Sequence, residues 1–274
     1  MADRLPYPNR RPIRLTQTRK ALFQLFGEYF LLGNKDIAAL LPGPRIASLR
    51  SAQHLTKELR ERNYLHGELY FDYDDPTKNA EWLYCLSTKG LAYAQEHGLC
   101  RLGKAANEKS AEYLGHDYAL TKFHIQLQKS GEERGARIKW FQRDLKRGVH
   151  PDALIEIVRG NGKSNWCFVE VENTKQGKYI SSESSLLRKI AKYREYQGSD
   201  RCLEDWKYFN SFLVIFLLKN KERADNLLKT LATDNDDGMF WIMSQEDLLT
   251  FRTPHDHGIV TRNFASMPMP SVRG

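Results

Sequence analysis

Hydrophobic residues recur at helical spacing in three stretches near the start of the chain. In residues 16–30 the large apolar side chains lie three or four positions apart, which is typical of a helix with one buried face. Residues 33–41 predict a short second helix that begins near Asn34 and ends before two prolines. Residues 46–65 predict a third helix, whose inner face would be formed by Leu49, Leu55, Leu59 and Tyr64.

The pattern then changes to two β-rich runs within residues 66–90, joined by the turn-forming sequence DDPTKN. Residues 89–98 predict one more helix. Three helices followed by a hairpin are the order of a winged helix-turn-helix, in which the third helix enters the major groove of DNA and the hairpin touches the backbone. The alternative is a winged helix that serves only protein contacts or dimerisation.

The third predicted helix carries a polar side that is rich in Arg, Lys, Gln and His. These side chains can hydrogen-bond to base edges and to phosphates. Glu58 and Glu61 are the acidic exceptions on this helix. The helix therefore predicts DNA contacts through a group of five residues, namely Arg50, Gln53, His54, Lys57 and Arg60.

Residues 103–112 lack large apolar side chains and predict a linker. The elements that follow this linker differ from those of the winged helix. Residues 112–131 predict a helix. Three strands come next, with the glycine-bearing turn 159–165 between the last two. Helices and strands then alternate to residue 244. The predicted strands are 137–142, 152–158, 166–172, 211–219 and 238–244, and the later helices are 181–198 and 221–232.

These elements predict an α+β protein of two domains, and a chain of 274 residues is long enough for both. Residues 1–105 would form a winged helix-turn-helix. Residues 106–274 would form a domain with an αβββαβ core, which differs from the strict strand–helix alternation of a nucleotide-binding sheet.

Charge and cysteine usage narrow the class of protein. Lysine and arginine number 42 against 34 acidic residues, a formal net charge of +8, which favours a polyanionic partner but is also common in ordinary soluble proteins. The four cysteines are scattered and show no zinc-binding spacing. The first residues lack the apolar core of an export signal, and no apolar run could span a bilayer. We therefore expect a cytoplasmic protein with reduced cysteines and no membrane insertion.

Three carboxylates are predicted to meet at one sheet edge. Glu170 and Glu172 close the strand 166–172, and side chains two apart on a strand share a face. Asp152 begins the preceding strand, and in a meander the start of one strand lies beside the end of the next. Such oxygen ligands suit Mg²⁺ or Mn²⁺, ions that activate water and stabilise a phosphoryl transition state. The alternative is a structural ion network in which Lys175 or Lys189 neutralises Glu172.

A basic residue is also expected near this edge. Lys189 lies about 60° to one side of the apolar stripe of the helix that follows, so its side chain can reach the carboxylates. Lys175 could approach from a loop, and Lys178 less directly. The nearest tyrosines are Tyr193 and Tyr196, and the apolar stripe predicts Tyr193 as a core residue.

The acidic pattern resembles the PD-(D/E)XK nuclease superfamily, with PD at residues 151–152 and Glu170-Val171-Glu172 as the second element. Glu172 stands where that superfamily has its lysine. Some members move the lysine to the next helix, where Lys189 stands here. The sequences YLGHDYAL, IKWFQRDL, HPDALIEI, FVEVENT and LLRKIAKYREY, behind a winged helix, also resemble the replication-relaxation group that includes the MobC-type plasmid relaxases.

This resemblance implies a restriction-endonuclease-like core and a relaxase that nicks one DNA strand at a plasmid transfer origin. It implies double-stranded DNA as partner, with accessory relaxosome proteins and a coupling protein. The implied catalytic residues are His116, Asp152, Glu170, Glu172 and Lys189, of which Asp152, Glu170 and Glu172 would bind Mg²⁺ or Mn²⁺.

Other interpretations of the same residues stay open. His116 could bind a phosphate or shuttle a proton, and His124 could face the same cleft. His255 and His257 lie between Pro and Gly and predict a loop rather than a metal site. The alternative function is a non-catalytic DNA-binding regulator of replication or transcription on the same scaffold. A host-defence or restriction endonuclease would share the active site.

Overall fold

The chain folds into two compact units, Met1–Thr121 and Lys122–Gly274. The computed structural model describes residues 13–41, 48–71, 80–100, 111–142, 149–172, 185–206, 209, 211–232 and 239–246. The division falls inside a helix that begins at Ala111. The domain boundary after residue 105 stays a prediction, because residues 101–110 lie outside the described ranges.

The first unit has the element order that the sequence predicts for a winged helix-turn-helix. Its described elements are α1 (Gln17–Glu28), β1 (Leu32–Gly33), α2 (Asn34–Leu40), α3 (Leu49–Glu61), β2 (Leu65–Tyr70), β3 (Glu81–Leu86) and α4 (Thr88–Glu96). The strands form one antiparallel sheet in the order β1-β3-β2. The hairpin β2–β3 is the wing, and the short strand β1 is an addition that the sequence pattern does not reveal.

Hydroxyl side chains define where three of these helices begin. The first backbone N–H groups of a helix have no partner within the helix, and a serine or threonine just before it can accept from one of them. Thr16 accepts from the N–H of Arg19 at the start of α1. The same role is played by Ser48 for α3 and Ser87 for α4.

The buried face of α3 agrees with the predicted one only in part. Leu59 is buried as predicted, and so is Tyr64 beyond the end of the helix, but Leu49 is 41% exposed, and Ala52 and Thr56 are buried as well. The hydroxyl of Thr56 donates to Oδ1 of Asn34 at 2.9 Å, so a polar residue can occupy this interface without leaving a buried group unsatisfied. The buried face therefore includes Leu59 but extends to Ala52 and Thr56 in place of Leu49.

The second unit is built on a mixed sheet. Its described elements are α5 (Ala111–Glu133), which spans the division, β4 (Arg137–Gln142), β5 (Ala153–Val158), β6 (Ser164–Glu172), α6 (Ser185–Gln197), α7 (Asp200–Asp205), β7 (Leu213–Leu218), α8 (Lys221–Ala232) and β8 (Phe240–Ser244). The strand order in the sheet is β4-β5-β6-β7-β8. Strands β4, β5 and β6 pair antiparallel, and β7 and β8 continue the sheet in parallel. This arrangement confirms the α+β class and the αβββαβ order; α7 was not predicted.

One face of this sheet packs against α6, α7 and α8. Phe168 of β6 and Phe216 of β7 are fully buried in that core, together with Ile190 of α6 and Leu227 of α8. From Cys167 onward every residue of β6 is buried, as expected for a strand that is covered on both faces. The carboxylates near its end are therefore held in the interior.

His124 does not have the exposed position that a cleft would give it. It is 2% exposed, and its ring stacks on Trp140 with the centroids 4.0 Å apart. Burial lowers the pKa of His124 to about 3, so the ring is neutral in the folded protein. It is a core residue of the second unit.

Two expectations from composition concern cysteines and membranes. All four cysteines lie in described segments, where they are buried and form no disulfide. Of the helices within the described ranges, none has the length and apolar character that a bilayer crossing requires.

Candidate active site

Asp152 is held against the end of β6 by two backbone contacts. Its N–H donates to the carbonyl of Val169 at 2.9 Å, and its Oδ2 accepts from the N–H of Val171 at 2.7 Å. Ala153, the first residue of β5, pairs with Val169. The start of one strand thus lies beside the end of the next, where Glu170 is located.

Glu170 has both carboxylate oxygens engaged by residues of α6. Its Oε2 accepts from Nζ of Lys189 at 2.7 Å, and its Oε1 accepts from the hydroxyl of Tyr193 at 2.6 Å. Residues four apart on a helix lie on the same side of it. One turn of α6 therefore clamps a carboxylate that is only 3% exposed.

Lys189 lies within ion-pair distance of both glutamates of β6. Its Nζ lies 2.7 Å from Oε2 of Glu170 and 3.9 Å from Oε2 of Glu172. The lysine side chain is 39% exposed, whereas both carboxylates are buried. The ammonium group thus enters a buried acidic site from a partly exposed position.

The charges of this cluster act on one another. Burial raises the pKa of Glu170, and the negative charge of Asp152 raises it further, although Lys189 opposes both effects. Burial acts to lower the pKa of Lys189, but attraction to Glu170, Glu172 and Asp152 raises it overall. The ammonium is therefore kept charged by three carboxylates on neighbouring strands.

The donor chemistry of these three carboxylates suits a hard divalent cation such as Mg²⁺ or Mn²⁺. As they stand, no set of three or more His, Cys, Asp or Glu side chains within the described ranges is arranged to hold a metal ion. The Lys189 ammonium contacts oxygens that such an ion would use. A metal ion at this position would therefore compete with Lys189.

The remaining predicted site residues are His116 and four residues that the structure does not describe. His116 lies on α5 in the first unit, with its Nδ1 3.4 Å from Oδ1 of the buried Asp117. Its catalytic role stays a prediction. Four further candidates fall outside the described residues, namely Lys175, Lys178, His255 and His257.

Four of the five candidate DNA-binding residues are exposed along α3: Arg50, Gln53, His54 and Lys57. Their spacing of three or four residues places them on one side of the helix. Arg60 is different. Its guanidinium lies 4.2 Å above the ring of Trp82 on strand β3, a cation–π contact that joins α3 to the wing.

Glu58, an acidic residue on the otherwise basic side of α3, is engaged in ion pairs. Nη2 of Arg19 on α1 lies 2.7 Å from both of its carboxylate oxygens. Nε of Arg62 lies 3.4 Å from Oε1. The negative charge of Glu58 is therefore balanced within the first unit, and α3 keeps a basic outer side.

Sequence reasoning missed the contact of Tyr193 with Glu170. It assigned Tyr193 to the core, and the residue is indeed 2% exposed. A signal was available, because Tyr193 follows Lys189 by four positions on the same helix. A polar group at the tip of a buried aromatic ring usually has a partner.

Fold and site together define an α+β protein in which a winged helix-turn-helix accompanies a mixed sheet with a buried acidic edge. The chain belongs to the replication-relaxation family, whose sequence model matches residues 24–210. The match includes α3 of the winged helix and all members of the acidic cluster.

The chain has a weak similarity to two solved structures. PadR of Bacillus subtilis in complex with operator DNA is 14% identical with a TM-score of 0.26, over 44% of this chain and 78% of that one. Restriction endonuclease FokI is 14% identical with a TM-score of 0.32, over 85% of this chain and 42% of that one. Among curated proteins, no sequence matches significantly.

Proposed function

We propose that this protein is a metal-dependent DNA endonuclease, a relaxase that nicks one strand of double-stranded DNA at a plasmid transfer origin. The observation that carries the proposal is the convergence of Asp152, Glu170, Glu172 and Lys189 at one sheet edge. Perturbed, charge-coupled groups of this kind mark functional sites. Membership of the replication-relaxation family supports the biological context.

Each residue of the cluster has a proposed role. Asp152, Glu170 and Glu172 would hold Mg²⁺ or Mn²⁺, which when bound supplies Lewis acidity and a more acidic water. The backbone N–H of Val171 orients Asp152. Lys189 keeps its charge and is partly exposed, so it can contact a phosphate oxygen that approaches the cluster.

The reaction would be hydrolysis of one phosphodiester bond. The oxygen of a water molecule forms a new bond to phosphorus, one backbone P–O bond breaks, and the leaving oxygen takes a proton. The preorganised charges of the cluster would stabilise the negative charge that develops on the phosphoryl group. This chemistry is that of the PD-(D/E)XK nucleases, which the motif at residues 151–152 and 170–172 resembles.

The winged helix would supply recognition of double-stranded DNA. The exposed side chains of Arg50, Gln53, His54 and Lys57 suit contacts to base edges and phosphates in the major groove. Arg60, stacked on Trp82, would support the wing beside them. A relaxase in this role would work with accessory relaxosome proteins and a coupling protein in the cytoplasm.

A second candidate is a non-catalytic DNA-binding regulator on the same scaffold. The observation that favours it is the contact of Lys189 with Glu170 and Glu172, which could serve as a structural ion network. Buried ion pairs of this kind also occur where no reaction takes place. The two candidates differ in whether the cluster binds a metal and cleaves DNA.

One experiment separates them. The purified full chain is incubated with supercoiled plasmid that carries the cognate transfer origin, with Mg²⁺ or Mn²⁺, and in parallel with EDTA. Metal-dependent conversion to open circles supports the relaxase. A mobility shift without cleavage supports the regulator, and a linear product indicates a double-strand endonuclease.

A further inference from the structure

Two residues one turn apart on α6 hold the carboxylate of Glu170 in different ways. Lys189 donates to one oxygen through a charged ammonium, and Tyr193 donates to the other through a neutral hydroxyl. We infer that Lys189 is an exchangeable counter-ion that a divalent cation displaces, and that Tyr193 is a positioning residue that keeps Glu170 in place during the exchange. This inference rests on the proposed metal-dependent function.

The position of Lys189 favours exchange. Its ammonium contacts Glu170 at 2.7 Å but lies 3.9 Å from Glu172, which is beyond hydrogen-bond distance. The lysine stem is flexible, and part of the side chain is already exposed, so its charge can move into water once another cation compensates the carboxylates. The carboxylates are buried and need a positive charge nearby. A divalent cation would satisfy them in place of the ammonium.

The displaced lysine would remain useful. Because its backbone stays on α6, beside the cluster, the freed ammonium would remain within reach of a phosphate that binds the metal ion. Metal binding and exposure of a phosphate-binding charge would thus be one event. Whenever no metal is bound, Lys189 would stay paired with the carboxylates.

Tyr193 is suited to the opposite role, that of a fixed contact. Its ring packs against three core phenylalanines, Phe168, Phe212 and Phe216, at centroid distances of 5.8, 6.1 and 6.5 Å. A ring held in this way has little freedom, so its hydroxyl stays 2.6 Å from Oε1 of Glu170. A neutral donor does not compete with a cation for charge. It orients the carboxylate, as outer hydrogen bonds do for metal ligands.

The two roles predict opposite effects on metal affinity. Lys189→Met removes the competing charge and should tighten Mn²⁺ binding on the order of tenfold, because the cation no longer has to displace an ammonium from the carboxylates. Tyr193→Phe keeps the ring and removes the hydroxyl, and should weaken Mn²⁺ binding on the order of tenfold. If both residues only supported the fold, both substitutions would weaken binding.

The experiment is a calorimetric titration of the full chain with Mn²⁺ at constant pH, for wild type and each variant. Tyr196→Phe is the matched control, because the Tyr196 hydroxyl on the same helix donates to Asp205 instead, at 2.8 Å. Glu170→Gln combined with Glu172→Gln is the variant without a site. Lys189→Gln serves as a second variant if Lys189→Met does not fold, and circular dichroism establishes folding.

The outcomes distinguish the inference from the function on which it rests. Tighter binding by the Lys189 variants, together with weaker binding by Tyr193→Phe but not by Tyr196→Phe, supports the inference. If wild type binds Mn²⁺ and nicks DNA but the variants do not diverge in this way, the inference is wrong and the nuclease stands. If neither wild type nor the folded Lys189 variants bind Mn²⁺, the proposed metal site itself is wrong, and the inference with it.

Discussion

The carboxylate of Asp152 accepts a hydrogen bond from the backbone N–H of Val171, 2.7 Å away on the next strand. A backbone donor holds this side chain whatever the charge state of its neighbours. The orientation of Asp152 is thus built into the pairing of β5 with β6, which allows its charge to be removed without removing its anchor.

Asp152→Asn should abolish nicking while the protein stays folded and DNA-bound. Asparagine retains an oxygen that can accept from Val171 but lacks the negative charge that a divalent cation requires. We expect a loss of nicking rate of at least about 100-fold. The measurement is open-circle formation from supercoiled plasmid, with a mobility shift to follow binding.

Glu156→Gln is the matched control for that substitution. Glu156 is another buried carboxylate of the sheet, paired with Lys139 at 2.7 Å and with the hydroxyl of Ser164 at 2.6 Å. It should retain nicking. Equal loss of activity in both variants would show that any buried charge change inactivates the protein, and the assignment of Asp152 would fail.

Lys189→Ala should lower stability in the absence of metal. Removal of the ammonium leaves Glu170 and Glu172 buried without the positive charge that contacts them. The loss should be about 1–2 kcal/mol, less than for a fully buried pair, because Lys189 is partly exposed. Urea unfolding with and without Mn²⁺ measures it.

The control here is Lys192→Ala, at an exposed position on the same helix. It should change stability little, and Mn²⁺ should not alter the difference. For Lys189→Ala, Mn²⁺ should restore part of the lost stability. A variant as stable as wild type in EDTA would contradict the view that the ammonium compensates the buried carboxylates.

Stability should fall in mild acid because of His124. Its pKa is about 3 in the folded protein and about 6.5 when exposed, so between these values only the unfolded chain binds the proton. The stability that the neutral His124 ring contributes is therefore fully present above about pH 6.5 and is lost as the pH falls toward the pKa of the folded state. Because the unfolded imidazole is half protonated at pH 6.5, the free energy of unfolding should fall by roughly 1.5 kcal/mol between pH 6.5 and about pH 5.

His124→Phe tests this pH dependence, since the new ring can still stack on Trp140. The variant should show a shallower fall in unfolding free energy over the same pH range, measured by urea titration at each pH. The quantity compared with wild type is the slope of the unfolding free energy against pH, not its absolute value. An unchanged slope would assign the acid sensitivity to other groups.

Substitutions on α3 should weaken DNA binding and its salt dependence. If Arg50 or Lys57 contacts a phosphate, its alanine variant should lower the slope of log affinity against log salt concentration by about one. Fluorescence anisotropy with labelled duplex at several salt concentrations measures this slope. Lys20→Ala, exposed on α1, is the control. An equal effect at Lys20 would show that net charge, rather than α3, governs binding.

Much of the fold follows from periodicity. The bounds of β4 and α8 agree with the predicted ranges 137–142 and 221–232, because alternation and helical spacing are strong there. Strand alternation also places Glu170 and Glu172 on one face, and the meander places Asp152 beside them. These are local rules of chain geometry, and they need no knowledge of distant partners.

The features that the sequence did not reveal depend on tertiary partners. Thr56 is buried because Asn34 accepts from its hydroxyl, and no spacing rule announces that pairing. His124 on α5 is buried because Trp140 on strand β4 provides a stacking surface. The sequence likewise gives no sign that Arg60 packs on Trp82 of the wing. Each case pairs residues that are distant in sequence, and periodicity carries no such information.

The buried end of β6 alternates valine and glutamate, from Val169 to Glu172. If this strand slipped by one residue against β5 or β7, its carboxylates would enter the apolar layer beneath and its valines would face Lys189. The acidic pair therefore discriminates against misaligned strands while the sheet assembles. Folding fidelity and the proposed chemistry depend on the same two side chains.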